Sequence, residues 1–597
     1  MIIAYDFEVF IYDWLVVIID PETGEIFEFV NDKEGFIDFY NQHTNDIWIG
    51  FNNRFYDQWI AKGIVSDFDP WDINDHIINK GLAGWEFSNL LNKVFMINYD
   101  TILLNKSLKQ LEAFQGHNIH ESNVPFDINR KLTDSEIEET LAYCRNDVIE
   151  TLNVFYANIN DFTALLDLVK EFNLPLSYMS KTKAQISAEI LQCDRIQRFD
   201  EFELFTLDCL KLSDTKRWLT VKKKKRQNDP DSGADLPIGK VFMRPDQWFF
   251  LEKYQDYRLY FETEVANVVH VFAWGGLHGG LKKYHYRIDA DHLLIHVDVA
   301  SYYPSLMIYH DLLTRNAKHP ELFREIYEKR LALKRAGKKK EQAPLKIVLN
   351  GTYGICKDSK NKAYDPRNAN LVCINGQLLL LDLIEKLQKV DSFELVQSNT
   401  DGLIIKINRK DFDLLDDTCY EWESRTHMTL EFDYIREIWQ KDVNNYVFVQ
   451  MDGKIERKGA YVKELNSMDN DLPILNQALV DYMLKGVPVE ETINDCDDLI
   501  AFQKICKLTN KYKYVKYAGR IYTNKCYRVF ASNNTADDTV YKVKDGKAGT
   551  ESLSKFQNIS KHCFMENGDI TGVKVPAKLD KKFYIDLAKK RLEQYGC

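Results

Sequence analysis

Two aspartates fall where strands would end. Leu293 to Val299 is an apolar run broken by one histidine, and it delivers Asp298 just before the chain turns at Ser301-Tyr302-Tyr303-Pro304. Glu394-Leu-Val-Gln-Ser398-Asn399-Thr400-Asp401-Gly402-Leu-Ile-Ile-Lys406 reads as strand, tight turn and strand, with Asp401 at the tip. A sheet fixes such a carboxylate and leaves it open to solvent, which suits a divalent cation, although a lone strand-end acid is more often a solvated cap. Between the two acids, Lys346-Ile-Val-Leu-Asn350-Gly-Thr-Tyr353-Gly354 puts Lys346, Asn350 and Tyr353 on one helical face. Two strand-borne acids and that face suit one task. The acids hold Mg²⁺ on a triphosphate and the lysine neutralises phosphate charge.

A second set of acids opens the chain. Met1-Ile-Ile-Ala-Tyr-Asp6-Phe-Glu8 predicts a strand whose period-2 alternation points Asp6 and Glu8 to one face. Ile47-Trp-Ile-Gly-Phe51-Asn52-Asn53-Arg-Phe-Tyr56-Asp57 reads as a strand running into a helix start. Ser135 to Val148 is amphipathic, with Tyr143 and Asp147 one helical turn apart. Four acids from three segments can bind two cations about 3.5–4 Å apart, the arrangement for phosphodiester cleavage. Taken singly, Asp57 reads as a helix cap and Asp147 as a surface acid.

The elements that must position these residues belong to a long chain. Its 597 residues predict three to five domains. A hydrophobic content of 45% describes a soluble globular protein, and a net charge of −12 requires any nucleic-acid contact to come from local basic clusters. Glu325 to Lys340 is a basic helix followed by a glycine break, and with a helix from Pro344 it predicts a short helical hairpin. Lys222 to Arg226 is a basic run that reads either as a phosphate contact or as a solvated loop. Trp274 to Tyr284 combines glycines, aromatics and lysines, either approaching phosphates or forming a structural turn. Lys504 to Arg520, with Lys507, Lys511 and Lys513, interleaves lysine and tyrosine as a duplex-backbone surface to which Lys525 and Arg528 add. The final helix, Lys578 to Tyr595, has an apolar stripe and a basic face. The eleven cysteines include no Cys-x-x-Cys pair, so neither a zinc module nor a disulfide framework is indicated and the cytoplasm is the expected compartment. The acidic start is no signal peptide, and no apolar run is long enough to cross a bilayer.

Asp298-x-x-Ser-x-Tyr-Pro-Ser resembles motif A of family B DNA polymerases, Lys346-x-x-x-Asn350-x-x-Tyr353-Gly354 their motif B, and Ser398-Asn-Thr-Asp401-Gly402 their motif C. Asp-x-Glu at 6 and 8, Asn53-x-x-Tyr56-Asp57 and Tyr143-x-x-x-Asp147 resemble the three motifs of 3′–5′ proofreading exonucleases. The resemblance implies an α/β multidomain chain, an RNase H-like exonuclease domain followed by a right-hand polymerase of palm, fingers and thumb. Its parts would be the exonuclease at 1–165, a linking region at 166–270, palm at 271–315, fingers at 316–358, palm again at 359–475, and the thumb with a C-terminal helix at 476–597.

By that resemblance Asp298 and Asp401 would hold two Mg²⁺ ions, as would Asp6, Glu8, Asp57 and Asp147, with Mn²⁺ an alternative. Tyr143 would orient the attacking water and Asn53 would contact the single-stranded 3′ end. Tyr303 would lie beneath the incoming sugar, where a 2′-hydroxyl would clash, while Lys346 and Arg330 would contact the triphosphate. Tyr446 and Lys458 fall in a predicted hairpin, 440–461, that resembles the segment gripping the primer, although Asn444 stands where lysine is usual. Motif C also departs from the family, since Asn399 replaces its first Asp and Gly402 its Ser.

Asp298 to Lys346 and Tyr353 to Asp401 are each 48 positions apart, leaving no room for the insertions of protein-primed phage members. The resemblance therefore implies a compact phage-type enzyme working in host cytoplasm. It would extend nucleic-acid primers with dNTPs on primer-template DNA, with weaker strand displacement, no terminal protein and no membrane; a primase, helicase or single-strand-binding protein are the partners to expect. An exonuclease with a degenerate, non-extending polymerase half is the alternative that Asn399 raises, and a non-catalytic DNA-binding scaffold is a third. Acids placed among basic elements at both sites argue against the scaffold.

Overall fold

The computed structural model describes all residues except 103–105, 120, 202, 213–218, 221–241, 244–259, 274, 460 and 547–549. The basic run at 222–226 and Trp274 thus lie outside the described residues. The chain is mixed α/β and packs as two compact units, one of residues 1–182 with 465–588 and the other of residues 183–464 with 589–597. Among the described residues no helix is long and apolar enough to cross a membrane.

In the first unit a five-stranded sheet has the order β3-β2-β1-β4-β5, from β1 (Ile2–Val9), β2 (Trp14–Ile19), β3 (Ile26–Val30), β4 (Ile47–Gly50) and β5 (Ile97–Asp100). The first three strands run antiparallel, while β1–β4 and β4–β5 are parallel. Helices α1 (Asp57–Val65), α2 (Leu108–Gln115) and α3 (Asp134–Ala157) follow. A Thr133–Glu136 capping box starts α3, satisfying two end donors at once. One face of the sheet carries an aromatic core, Tyr5, Phe7, Trp14, Phe36, Phe39 and Trp48 among it, and the other packs Ala4, Leu15 and Val17 against Cys144, Val148 and Leu152 of α3.

The second unit is built on a ten-stranded sheet. Its strands are β6 (Tyr260–Val265), β7 (Val268–Ala273), β8 (Leu277–Gly280), β9 (Tyr284–Arg287), β10 (His292–Val299), β11 (Glu394–Asn399), β12 (Gly402–Asn408), β13 (Leu430–Asp442), β14 (Asn445–Gln450) and β15 (Ile455–Lys458). The order is β15-β14-β13-β10-β12-β11-β8-β7-β6, with β9 pairing β13. Apolar β10 lies between β12 and β13, as a near-continuous hydrophobic run should. Helices α4 (Tyr302–Tyr309), α5 (Pro320–Arg335), α6 (Lys339–Lys357) and α7 (Pro366–Leu387) intervene. Gly337, at φ +70°, makes the break between α5 and α6. Helix α6 starts at Lys339 and carries Pro344 inside it, five residues ahead of the expected start.

Residues 465–588, expected as the palm's end and most of the thumb, share a core with α2. Met468, Ile505 and Cys526 pack on Leu111, Ala113, Phe114 and Ile119. Arg528 corrects an expectation. It is fully buried, and its guanidinium donates to Gln503 Oε1 (3.0 Å) and to the carbonyls of Ala113 (3.1 Å), His117 (2.9 Å), Glu566 (3.3 Å) and Gly568 (2.7 Å). Burial lowers its pKa to about 10. A planar five-donor fork is the side chain that can satisfy acceptors in several directions at once, so this residue ties loops together and offers no charge to DNA. Arg528→Ala should cost at least about 3 kcal/mol by orphaning these acceptors, and Arg528→Lys should recover only part of it, as read by denaturant unfolding of the full chain.

Candidate active sites

The first site lies where β1, α1 and α3 of the first unit meet. The carboxylates of Asp6 and Glu8 and the thiol of Cys144 lie within 4.8 Å of one another. Cys144 Sγ donates to the Asp6 carbonyl at 3.3 Å, which fastens α3 to the strand. Asp57 is the first residue of α1, where a helix favours negative charge, and its Oδ1 accepts from Phe7 N at 3.0 Å, between the two acids of β1. Asp147 stands one turn beyond Tyr143 on α3. The four acids predicted from three segments therefore converge.

Lys109 of α2 was not foreseen. Its Nζ lies 2.8 Å from Asp147 Oδ1 and 3.1 Å from Glu112 Oε2, and 4.7 Å above the Tyr143 ring. The sequence offered only a lysine three residues before a glutamate, because its other partner is distant in the chain. Burial, then the charges of Asp57, Glu8 and Asp147, hold Asp6 well above the carboxylate range. Burial, then Asp147 and Asp57, do the same to Glu8. Burial pushes Asp57 up to about 7 and Glu112 to about 8. Buried carboxylates that raise one another fit a divalent cation, since one lysine cannot balance them.

Asn53 takes a different place from the one expected. It is fully buried, and its Nδ2 donates to Asn98 Oδ1 (2.9 Å) and the Tyr99 carbonyl (3.2 Å), so the amide pins the 51–56 loop to β5. Asp100 completes that anchor by accepting from Asn52 N and Arg54 N.

The second site sits on the ten-stranded sheet. Asp298 on β10 pairs with Gly402 on one side and Glu431 on the other, and Val299 N donates to the Asp401 carbonyl at 2.7 Å. The two predicted acids are thereby fixed at neighbouring strand ends. Asp298 is pushed up to about 7 by burial first and then by Asp401, Glu431, Asp433 and Glu456. Asp401 is raised by burial, against the opposing pull of its own backbone amide, His296, Lys458 and His278. This donor set also fits a divalent cation. Glu431-Phe-Asp433 repeats the acid-x-acid spacing of the first site, a signal legible in the sequence.

Thr400 N donates to Leu277 O at 3.1 Å, and a Cβ on Gly276 would approach Thr400 Cα to 2.9 Å. The glycine segment before Asp298 therefore packs beneath the Asp401 turn. Asn399 faces His278 across the strand pair, and His278 Nε2 lies 3.5 Å from Thr400 Oγ1.

Around these acids, Tyr303 donates its hydroxyl to the Gly275 carbonyl and its ring lies 4.5 Å from that of Tyr353. Lys346 and Asn350 are exposed on the same helix as Tyr353. Arg330 Nη1 donates to Ser301 Oγ at 2.6 Å, and Ser301 has a left-handed backbone (φ +51°) between Asp298 and Tyr303. Tyr446 corrects its expected place as a DNA contact, because it is buried and its hydroxyl donates to Glu456 Oε1 at 2.9 Å. Lys458 is exposed with Nζ 5.9 Å above the Tyr446 ring. Lys507, Lys511 and Lys513 are exposed in the first unit, and Lys513 pairs with Asp545 at 2.8 Å.

No family model matches this chain, and no curated protein matches it. Among solved structures, the family B DNA polymerase of the hyperthermophilic archaeon Pyrobaculum calidifontis is similar over 100% of this chain and 77% of its own, with 13% identity and a TM-score of 0.40.

The raised carboxylate of Asp57 has a pH signature. Its folded pKa of about 7 exceeds the ordinary 3.8, so the folded state binds the proton more tightly and stability falls as pH rises from about 4 through about 7. In EDTA, the melting-temperature advantage of Asp57→Asn over the wild type should widen between pH 4 and pH 8. An advantage that stays constant with pH contradicts this assignment.

Proposed function

We propose that this chain is a template-directed DNA polymerase that adds deoxynucleotides to a primer 3′ end, with 3′–5′ exonuclease proofreading at the first site. The observation that carries the reading is the register of β10 with β12, which holds Asp298 and Asp401 at adjacent strand ends beside the Tyr303–Tyr353 ring pair and its helix. Two strand-fixed acids, an exposed Lys346 and an aromatic floor are what a nucleoside triphosphate needs.

In this reading Asp298 and Asp401 would hold two divalent cations, as would Asp6, Glu8, Asp57 and Asp147, and such cations would supply activation of the attacking oxygen and neutralisation of the leaving one. Tyr303 presents its ring to the sugar and excludes a 2′-hydroxyl, with its own hydroxyl held by Gly275 O. Lys346 meets the triphosphate. Arg330 joins it on release from Ser301, and its present bond keeps the fingers hairpin on the turn that follows Asp298. At the first site Tyr143 orients water and Lys109 holds Asp147 in place.

Asn399 favours a second reading, an exonuclease with a silent polymerase half, because the side chain facing His278 across the strand pair brings no charge. Extension of a 5′-labelled primer on a template separates the two. The wild type should extend with dNTPs and Mg²⁺ or Mn²⁺ and degrade primer without dNTPs. Asp401→Ala should lose extension by at least roughly a thousandfold and keep degradation, and Asp6→Ala with Glu8→Ala should do the reverse. A wild type that degrades but never extends, with either metal, replaces this reading with the second.

A further inference from the structure

Tyr303 is held by a residue that no motif contains. Its hydroxyl donates to the Gly275 carbonyl, and the amide of the same Gly275 donates to Cys373 Sγ at 3.1 Å. Gly275 has φ +143°, a backbone that favours glycine, and a Cβ on it would meet nothing within 4 Å. Conformation rather than space therefore selects the glycine, and that conformation turns its carbonyl to Tyr303 and its amide to Cys373.

Cys373 is fully buried on α7, and Gln377, one helical turn on, donates Nε2 to the same sulfur at 3.2 Å. Gly376 lies between them. Its carbonyl accepts from the Tyr302 hydroxyl at 2.5 Å, and a Cβ on it would stand 3.5 Å from Cε1 of both Tyr302 and Tyr303. One stretch of α7 thus touches the tyrosine pair directly at Gly376 and reaches the Tyr303 hydroxyl through Gly275. A hydroxyl is a small difference between two sugars, so a ring rejects it only where the ring cannot yield by about 1 Å.

We propose that Cys373 is a positioning residue for sugar selection, fixing Tyr303 through the Gly275 peptide and with it the preference for deoxynucleotides. The inference rests on the polymerase reading and names what sets the sugar of its substrate.

The test uses the full chain carrying Asp6→Ala and Glu8→Ala, and measures kcat/KM for insertion of one dNTP and of the matching rNTP. Cys373→Val removes the acceptor and should lower the dNTP-to-rNTP ratio about three- to tenfold, chiefly by raising rNTP insertion. Cys373→Ala, which cannot overpack, should act in the same direction, and Cys373→Ser, which keeps an acceptor, should restore most of the ratio. Tyr303→Phe cuts the other end of the same link and should lower the ratio by a similar factor, with little further loss when combined with Cys373→Val. A merely structural role would slow both insertions alike. A ratio that collapses in Tyr303→Ala but is unmoved by Cys373→Val and Cys373→Ala overturns the role of Cys373 and leaves the polymerase reading standing. A parent chain that inserts neither nucleotide, with Mg²⁺ or Mn²⁺, overturns both.

Discussion

Carboxylates buried beside carboxylates repel, and each unit of this protein commits its main sheet to holding such a set in place. Asp6 and Glu8 ride on β1 while Asp57 is clamped between them by the Phe7 amide, and Asp298 is flanked by Gly402 and Glu431 in strict register. A carboxylate free to move would relax towards water. Backbone hydrogen bonds prevent that, and the acids respond by binding protons more tightly. The arrangement stores a demand for positive charge that the protein itself answers only in part, through Lys109 at one site and Lys458 at the other.

Much of this was legible in the sequence because it is local. The acid-x-acid alternation of Asp6 and Glu8 follows from the strand period, and Asp401 at a hairpin tip follows from Asn, Asp and Gly between two apolar runs. Lys346, Asn350 and Tyr353 share a face through the helical period alone. The site acids emerged from short-range patterns and from their order along the chain.

What stayed hidden depends on partners far apart in sequence. Arg528 looks like a nucleic-acid contact in its own segment and Asn53 does so by the resemblance, but their acceptors come from elements distant in the chain, and those acceptors draw both side chains into the interior. Tyr446 is drawn in by Glu456 across a hairpin. Lys109 carries no signal in its own segment, because its partner Asp147 is distant in the chain.

The central claim is that these buried acids are cation sites, and proton release on metal binding tests it most directly. Isothermal titration of the wild type with Mn²⁺, run at pH 6.5 in buffers of different ionisation enthalpy, counts the protons displaced. With Asp57 and Asp298 titrating near 7 and Asp6 and Glu8 held well above the carboxylate range, more than one proton per chain should leave at pH 6.5. Metal binding that displaces no protons at pH 6.5, or no metal binding at all, would contradict the account.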